Sequence, residues 1–229
     1  MKLLERSYSG KVFRPRPEIL CEAEGNLCLI ATPWGPRSAA RKVIQTIVDF
    51  FHSARANEEA TSPFQPLSGL SPMANNLRVA IMLANDTVFR EENRNEFLSG
   101  VELFAAAKRG HELAWAHIGG PHLLLDRPGL DLQVLSTTPD YALLHTDQKE
   151  LLAPLPGALL GLGATSNFAV QSIRVQNEDR LILLHRSFIP PIMQTLPRPQ
   201  RQLGPFSQIM AKQSADLPFW LGILSFEAA

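Results

Sequence analysis

The sequence predicts an α+β fold, on three observations: a β-hairpin near the start, two long amphipathic helices after it, and then a succession of antiparallel strand pairs. In this arrangement sheets pack together and helices lie outside. The hairpin is formed by residues 18–23 and 27–31, two short apolar runs joined by Glu24, Gly25 and Asn26, which supply turn chemistry. Thr32-Pro33-Trp34-Gly35-Pro36 breaks the strand pattern. Residues 37–56 follow as a helix, because Ala40, Val43, Ile44, Ile47, Val48 and Phe51 recur at helical spacing. Residues 57–72, rich in Ser, Pro and Glu, are a loop. A second helix is expected over about 73–98, with Leu77, Ile81, Ala84 and Val88 on its apolar face.

After Gly100 the period changes. Residues 101–107 and 112–118 flank Lys108-Arg109-Gly110-His111, and residues 123–125 and 132–135 flank Asp126-Arg127-Pro128-Gly129. Residues 168–175 and 180–185 repeat the arrangement around Gln176-Asn177-Glu178-Asp179, which predicts a further hairpin. A helix over 206–214 and a strand over 219–226 close the chain. No repeat, low-complexity tract or linker divides it, so the expectation is a single domain over 1–229, long enough to bury a real core.

Composition narrows the function classes. Of 229 residues, 45% are hydrophobic and 19% charged, and 22 Lys and Arg balance 22 Asp and Glu. A net charge of zero argues against nucleic acid or an anionic membrane surface as partner, since both are bound through a broad positive field. No apolar run approaches the roughly 18 to 20 residues that span a bilayer, and the charged start Met1-Lys2-Leu3-Leu4-Glu5-Arg6 is not a secretory signal, so a cytoplasmic location is expected. The two cysteines, Cys21 and Cys28, fall on facing strands and are read as small core residues rather than redox partners.

Motifs for catalysis are scarce. The sequence has no phosphate loop, dinucleotide fingerprint, zinc-protease helix or nucleophile elbow. The run Gly157-Ala158-Leu159-Leu160-Gly161-Leu162-Gly163 lacks the Lys and Ser or Thr of a phosphate cradle and is read as a turn. His117, His122 and His185 sit at strand ends and are read as satisfied or solvated. Pro190-Pro191 and Pro197-Arg198-Pro199 are read as a rigid loop.

The order of elements resembles that of the metal-dependent protein phosphatases (type 2C, PPM), over roughly residues 9–226. Where that family has Ala-Asp-Gly-Met-Gly-Gly before its first long helix, this chain has Ala31-Thr32-Pro33-Trp34-Gly35. The strand pair that reads Gly-x-x-Leu-x-x-Ala-Asn-Val-Gly-Asp-Ser-Arg is matched by residues 110–122, Gly110-His111-Glu112-Leu113-Ala114-Trp115-Ala116-His117-Ile118-Gly119-Gly120-Pro121-His122. The family's Gly-Asp-x-Leu-Leu-Leu-x-Ser-Asp-Gly-Leu resembles residues 178–188, from Glu178-Asp179 to Ser187-Phe188, and its closing Asp-Asn-x-Thr resembles Asp216-Leu217-Pro218-Phe219. The resemblance implies a four-layer α-β-β-α sandwich of two antiparallel sheets flanked by helix pairs.

It also implies a site from which most metal ligands are missing. Such phosphatases hold two dications with converging carboxylates, and a metal-bound water attacks the phosphoryl group. Carried over by position, the first acid falls at Glu18, the Asp-Gly pair becomes Thr32-Pro33, a later Asp becomes Arg186, and the last persists as Asp216. Arg14, Arg16 and His122 are the candidate phosphate-binding positions. Thr32 brings no charge, and Arg186 sets a guanidinium where a cation belongs, so no catalytic residues and no metal cofactor are expected. Arg186 is expected either to replace the metals by pairing with Glu18 or Asp216, or to point to solvent.

The leading expectation is therefore a pseudophosphatase, a binding or regulatory module in bacterial signalling. Its partner would be a protein such as a kinase or a phosphoprotein, met through residues 57–72 or the basic, proline-rich residues 190–201, with homodimerisation as a further option. The alternative is an active metal-dependent serine/threonine phosphatase. Its atypical or single Mn²⁺ or Mg²⁺ site would be built from Glu18, Asp216 and one of His117, His122 or His185.

Overall fold

A computed structural model describes residues 1–22, 26–56, 64–145 and 152–226. In chain order these form β1 (Lys2–Tyr8), β2 (Glu18–Glu22), β3 (Leu27–Trp34), α1 (Arg37–Ala56), α2 (Pro72–Thr87), β4 (Gly100–Arg109), β5 (Glu112–Ile118), β6 (His122–Asp126), β7 (Gln133–Ser136), β8 (Gln171–Arg174), β9 (Arg180–His185), α3 (Ile192–Thr195), α4 (Leu203–Gln213) and β10 (Phe219–Ser225). The strands make two antiparallel five-stranded sheets, ordered β2-β3-β4-β5-β8 and β1-β10-β9-β6-β7. The α+β class is the one the sequence predicts. The residues group into two compact units, Pro17–Ile118 with Ala158–Val175, and Met1–Arg16 with Gly119–Gly157 and Gln176–Ala229. Each unit carries one sheet, and the chain passes between them four times, which is why no linker is visible in the sequence.

In the first unit, alternation decides which side chains meet the helices. Leu27, Leu29 and Ala31 of β3 lie on one face with Leu103, Ala105 and Ala107 of β4 and Ala114 and Ala116 of β5. Against them pack Ala40, Val43, Ile44, Ile47 and Phe51 of α1 and Leu77, Ala80, Ile81 and Ala84 of α2. The alanines on β4 and β5 let two helices approach closely. Ser71 caps α2 by accepting from the Ala74 N–H at 3.2 Å, and Pro72 opens the helix, where its missing N–H costs nothing.

Three expectations change here. The second helix ends at Thr87, followed by a π-turn over Val88–Glu92, rather than running to residue 98. The cause is Asn93, whose amide donates to the carbonyls of Ser99 and Gly161 and accepts from the N–H groups of Leu98 and Ser99. Those bonds satisfy a backbone that has left the helix. Strand β3 continues through Thr32, Pro33 and Trp34 to pair with β4, Pro33 standing opposite Val101. Proline is tolerated because β2 has already ended, with Glu18 opposite Ala31, so no ladder is lost on that side. The cysteines are joined: Cys21 and Cys28 oppose each other across β2 and β3, their Cα atoms 4.2 Å apart, in a disulfide. Direct cross-strand register brings the two sulfurs together. The cysteine pattern therefore gives no support to a reducing compartment. The expected turn at Glu24 and Gly25 lies outside the described residues, as do 57–63 of the expected loop.

In the second unit, Leu124, Ile182, Leu184, Phe219 and Leu221 form the face that receives Met193 of α3, Leu196, and Phe206 and Met210 of α4. The sequence did not announce β1, a charged strand at the sheet edge that pairs with β10 along its whole length. Its anchors are distant in the chain: Trp220 Nε1 donates to Glu5 Oε2, and Tyr8 stacks on Phe219 at 5.2 Å. The hairpin expected between 168–175 and 180–185 does not form. Polar β8 is an edge strand on β5, while β9 is central between β10 and β6 in the other sheet. The turn chemistry is present, since Asp179 Oδ2 accepts from the Gln176 N–H at 2.8 Å. But Leu181, Ile182, Leu183 and Leu184 are all fully buried and need a neighbour on each side, which polar Gln171–Arg174 could not usefully supply.

In the segment 197–201 the side chains of Arg198 and Arg201 reach a buried carboxylate, while Pro197, Pro199 and Gln200 are exposed. The Asp126 carboxylate, wholly buried, pairs with Arg180 across the ladder, with Arg201 Nη1 at 2.8 Å and with Arg198 Nε at 3.6 Å. Beside it Arg127 holds Asp179 at 2.7 Å. The basic character of this stretch is thus spent on a buried carboxylate. Among the described residues no helix is long and apolar enough to cross a membrane.

Candidate functional site

The positions singled out by the resemblance divide between the two units. Glu18, Thr32 and Pro33 belong to the first, and Arg14, Arg16, His122, Arg186 and Asp216 to the second.

In the first unit the pleat sets Glu18 and Thr32 on opposite faces. Glu18 stands opposite Ala31, one residue before Thr32, so it shares the helix-bearing face with Ala31. There its Oε1 accepts from Arg37 Nε at 2.8 Å, with Arg41 Nε at 3.5 Å. Glu22, four residues on and so on the same face, meets His52 of α1 at 2.8 Å in the same way. Glu18 therefore ties an edge strand to α1. Thr32 is buried, and Pro33 has no side-chain donor at all. Directly across from Thr32 lies Glu102, a carboxylate only 4% exposed, which accepts from Trp34 Nε1 at 2.8 Å. Sequence reasoning passed over Glu102 because it sits inside an apolar run. The only signal was the single charge in Val101-Glu102-Leu103-Phe104.

In the second unit, His122 is buried and both ring nitrogens are engaged. Nδ1 accepts from the Thr138 N–H at 3.1 Å, which leaves Nε2 as the protonated nitrogen, donating to the Arg186 carbonyl at 3.0 Å. Arg14 approaches Asp140, Nη2 to Oδ2 3.9 Å, both side chains 7% exposed, while Asp140 Oδ1 accepts from the N–H groups of Ala142 and Leu155. Arg16 is exposed. Asp216 is half-exposed and pairs with Lys11 Nζ at 3.0 Å, and its carbonyl accepts from the Lys11 N–H at 2.8 Å.

Arg186, just past β9, is 3% exposed, and none of its three guanidinium nitrogens has a hydrogen-bond partner. The Phe188 ring lies against it, centroid 5.1 Å from Cζ, and burial pulls its pKa below the ordinary arginine value. It neither points to solvent nor pairs with Asp216, whose charge is met by Lys11, nor with Glu18, which is held by Arg37 and Arg41.

This donor set does not fit two hard dications. Mn²⁺ or Mg²⁺ needs several carboxylate oxygens converging on it. Of the matched positions one is a neutral hydroxyl, one has no donor, one is a buried cation, and the two carboxylates are neutralised by basic side chains. Among the described residues no group of three or more His, Cys, Asp or Glu is placed to hold a metal ion.

No protein-family model matches the sequence, and no curated protein is recognisably similar to it. Solved structures are. The PPM Ser/Thr phosphatase MsPP from Mycobacterium smegmatis, in complex with cacodylate, superposes with a TM-score of 0.67 at 17% identity, covering 99% of both chains. PppA, a key regulatory component of the type VI secretion system in Pseudomonas aeruginosa, gives 0.65 at 18% identity over 98% of this chain and 96% of its own. The Mycobacterium tuberculosis serine/threonine phosphatase PstP gives 0.63 at 16% identity, over 99% and 98%. The chain has the fold of the PPM serine/threonine phosphatases.

Proposed function

We propose that this protein is a PPM-fold module without phosphatase activity, which works by binding another protein in a bacterial signalling pathway, a kinase or a phosphoprotein being the partner class such a fold would meet. The observation that carries the reading is Arg186. A buried guanidinium at the position matched to a ligand Asp would repel a dication and supplies no donor oxygen to it. The diversion of Glu18 to Arg37 and of Asp216 to Lys11 supports the same reading. That neighbours with this fold include a regulatory component of a secretion system supports a signalling role. Fold alone does not assign activity, so the test is chemical. Calorimetric titration with Mn²⁺ and hydrolysis of a generic aryl phosphate, in one buffer, should show neither heat nor turnover. Saturable binding with metal-dependent turnover would overturn the reading.

A further inference from the structure

Arg186 is the only side chain among the described residues whose guanidinium buries all three nitrogens without a hydrogen-bond acceptor. Such a group carries five N–H donors and a full charge, and both are costly to strip of water. Native structures seldom leave this uncompensated, and an orphaned buried polar group calls for a partner. The residues around it do not provide one. The Phe188 ring contacts the flat face of the guanidinium, which leaves its in-plane donors untouched. The His122 ring spends Nε2–H on the Arg186 carbonyl and Nδ1 on the Thr138 N–H, so it fixes the backbone of residue 186 and contributes no acceptor to the side chain. Asp126 and Asp179, the two fully buried carboxylates of this unit, are matched by Arg180, Arg201, Arg198 and Arg127. The fold has thus placed a cation where its own described residues leave the charge unmet.

We propose that Arg186 is the recognition group of an oxyanion site, completed by a phosphoryl or carboxylate group of a bound ligand that accepts the guanidinium fork. The planar pair of N–H donors matches two oxygens of either group. Binding makes and breaks no covalent bond. The proposal deepens the non-hydrolytic reading, on which it rests, by naming the ligand chemistry of the same region: the anion is held by arginine and kept, where a metal pair would activate water against it.

The experiment uses the full chain in metal-free Tris chloride, with inorganic phosphate and, separately, acetate titrated at ionic strength held constant with chloride. Melting temperature and calorimetric heat are read. A saturable rise in Tm with phosphate, acetate or both is expected, and which anion acts identifies the ligand group. Arg186→Met should abolish the response without lowering the anion-free Tm, because it removes a charge that was unmet. Arg186→Lys, which keeps the charge and loses the fork, should bind about tenfold or more weakly. No saturable response in the wild type, or the same response in Arg186→Met, overturns the site. If Arg186→Met does not fold, Arg186→Lys decides, and unchanged anion affinity there overturns it. Mn²⁺-dependent turnover would sink the non-hydrolytic reading instead, and is measured independently of the anion response.

Discussion

Replacing Asp126 by Asn tests the strongest electrostatic feature of the second unit. The carboxylate is wholly buried and receives Arg180, Arg201 and Arg198, and Arg201 is itself only 4% exposed. Removing one partner of such a cluster leaves buried guanidinium charge unbalanced, which costs about 3–5 kcal/mol. Asn keeps one acceptor oxygen, so the lower end, about 3 kcal/mol, is expected. For a chain of this size that corresponds to a fall in Tm of roughly 6–12 °C. The pH dependence has a defined sign. Burial alone would raise the Asp126 pKa, but the hydrogen bonds from Arg201 and Arg180 outweigh it and hold the carboxyl below its ordinary value. A depressed folded-state pKa gives stability that is present above the unfolded value, about 3.9, and lost as pH falls through the folded one. Urea unfolding followed by far-UV circular dichroism should therefore show a constant gap between wild type and Asp126→Asn from about pH 5 to 8, closing under acid. A gap under about 1 kcal/mol, or one that widens as pH falls, would refute the claim that a buried carboxylate organises these arginines.

Two further perturbations follow from the geometry. Breaking the Cys21–Cys28 bond, which closes a loop across seven positions, should lower stability by about 2–3 kcal/mol. Urea midpoints with and without dithiothreitol measure this, and two alkylatable thiols in denatured, unreduced protein would contradict the bond. At Gly10 an added Cβ would stand 2.2 Å from the Asp216 carbonyl oxygen, a backbone atom, next to the bond that Lys11 N–H donates to it. Gly10→Ala should cost about 1–3 kcal/mol, read as a lowered Tm, and an unchanged Tm would show that the approach is looser than described.

Periodicity carried most of the local structure. The helix over 37–56, the strand pair around residues 108–111 and the last strand follow from apolar spacing and turn residues, and the structure has them in those places. Pairing partners were less legible. The stretch 171–185 has the turn chemistry of a hairpin, yet its strands join different sheets, because the neighbours of a strand are chosen by how many of its faces and edges must be buried. The edge strand β1 gave no signal, since a charged edge strand needs no apolar face and its partner lies more than two hundred residues away.

By itself the sequence determined the α+β class, the helix over 37–56, the strand pair around residues 108–111 and the last strand. These depend on residue type and short-range spacing, which the chain displays directly. Only the tertiary structure decided which charges meet. It sent Glu18 to the helix face with Arg37, gave Asp216 to Lys11, drew Arg198 and Arg201 onto Asp126, joined Cys21 to Cys28, and left Arg186 buried without an acceptor. Coulomb energies and hydrogen bonds act over a few ångströms of space, and residues that are close in space can be any distance apart along the chain.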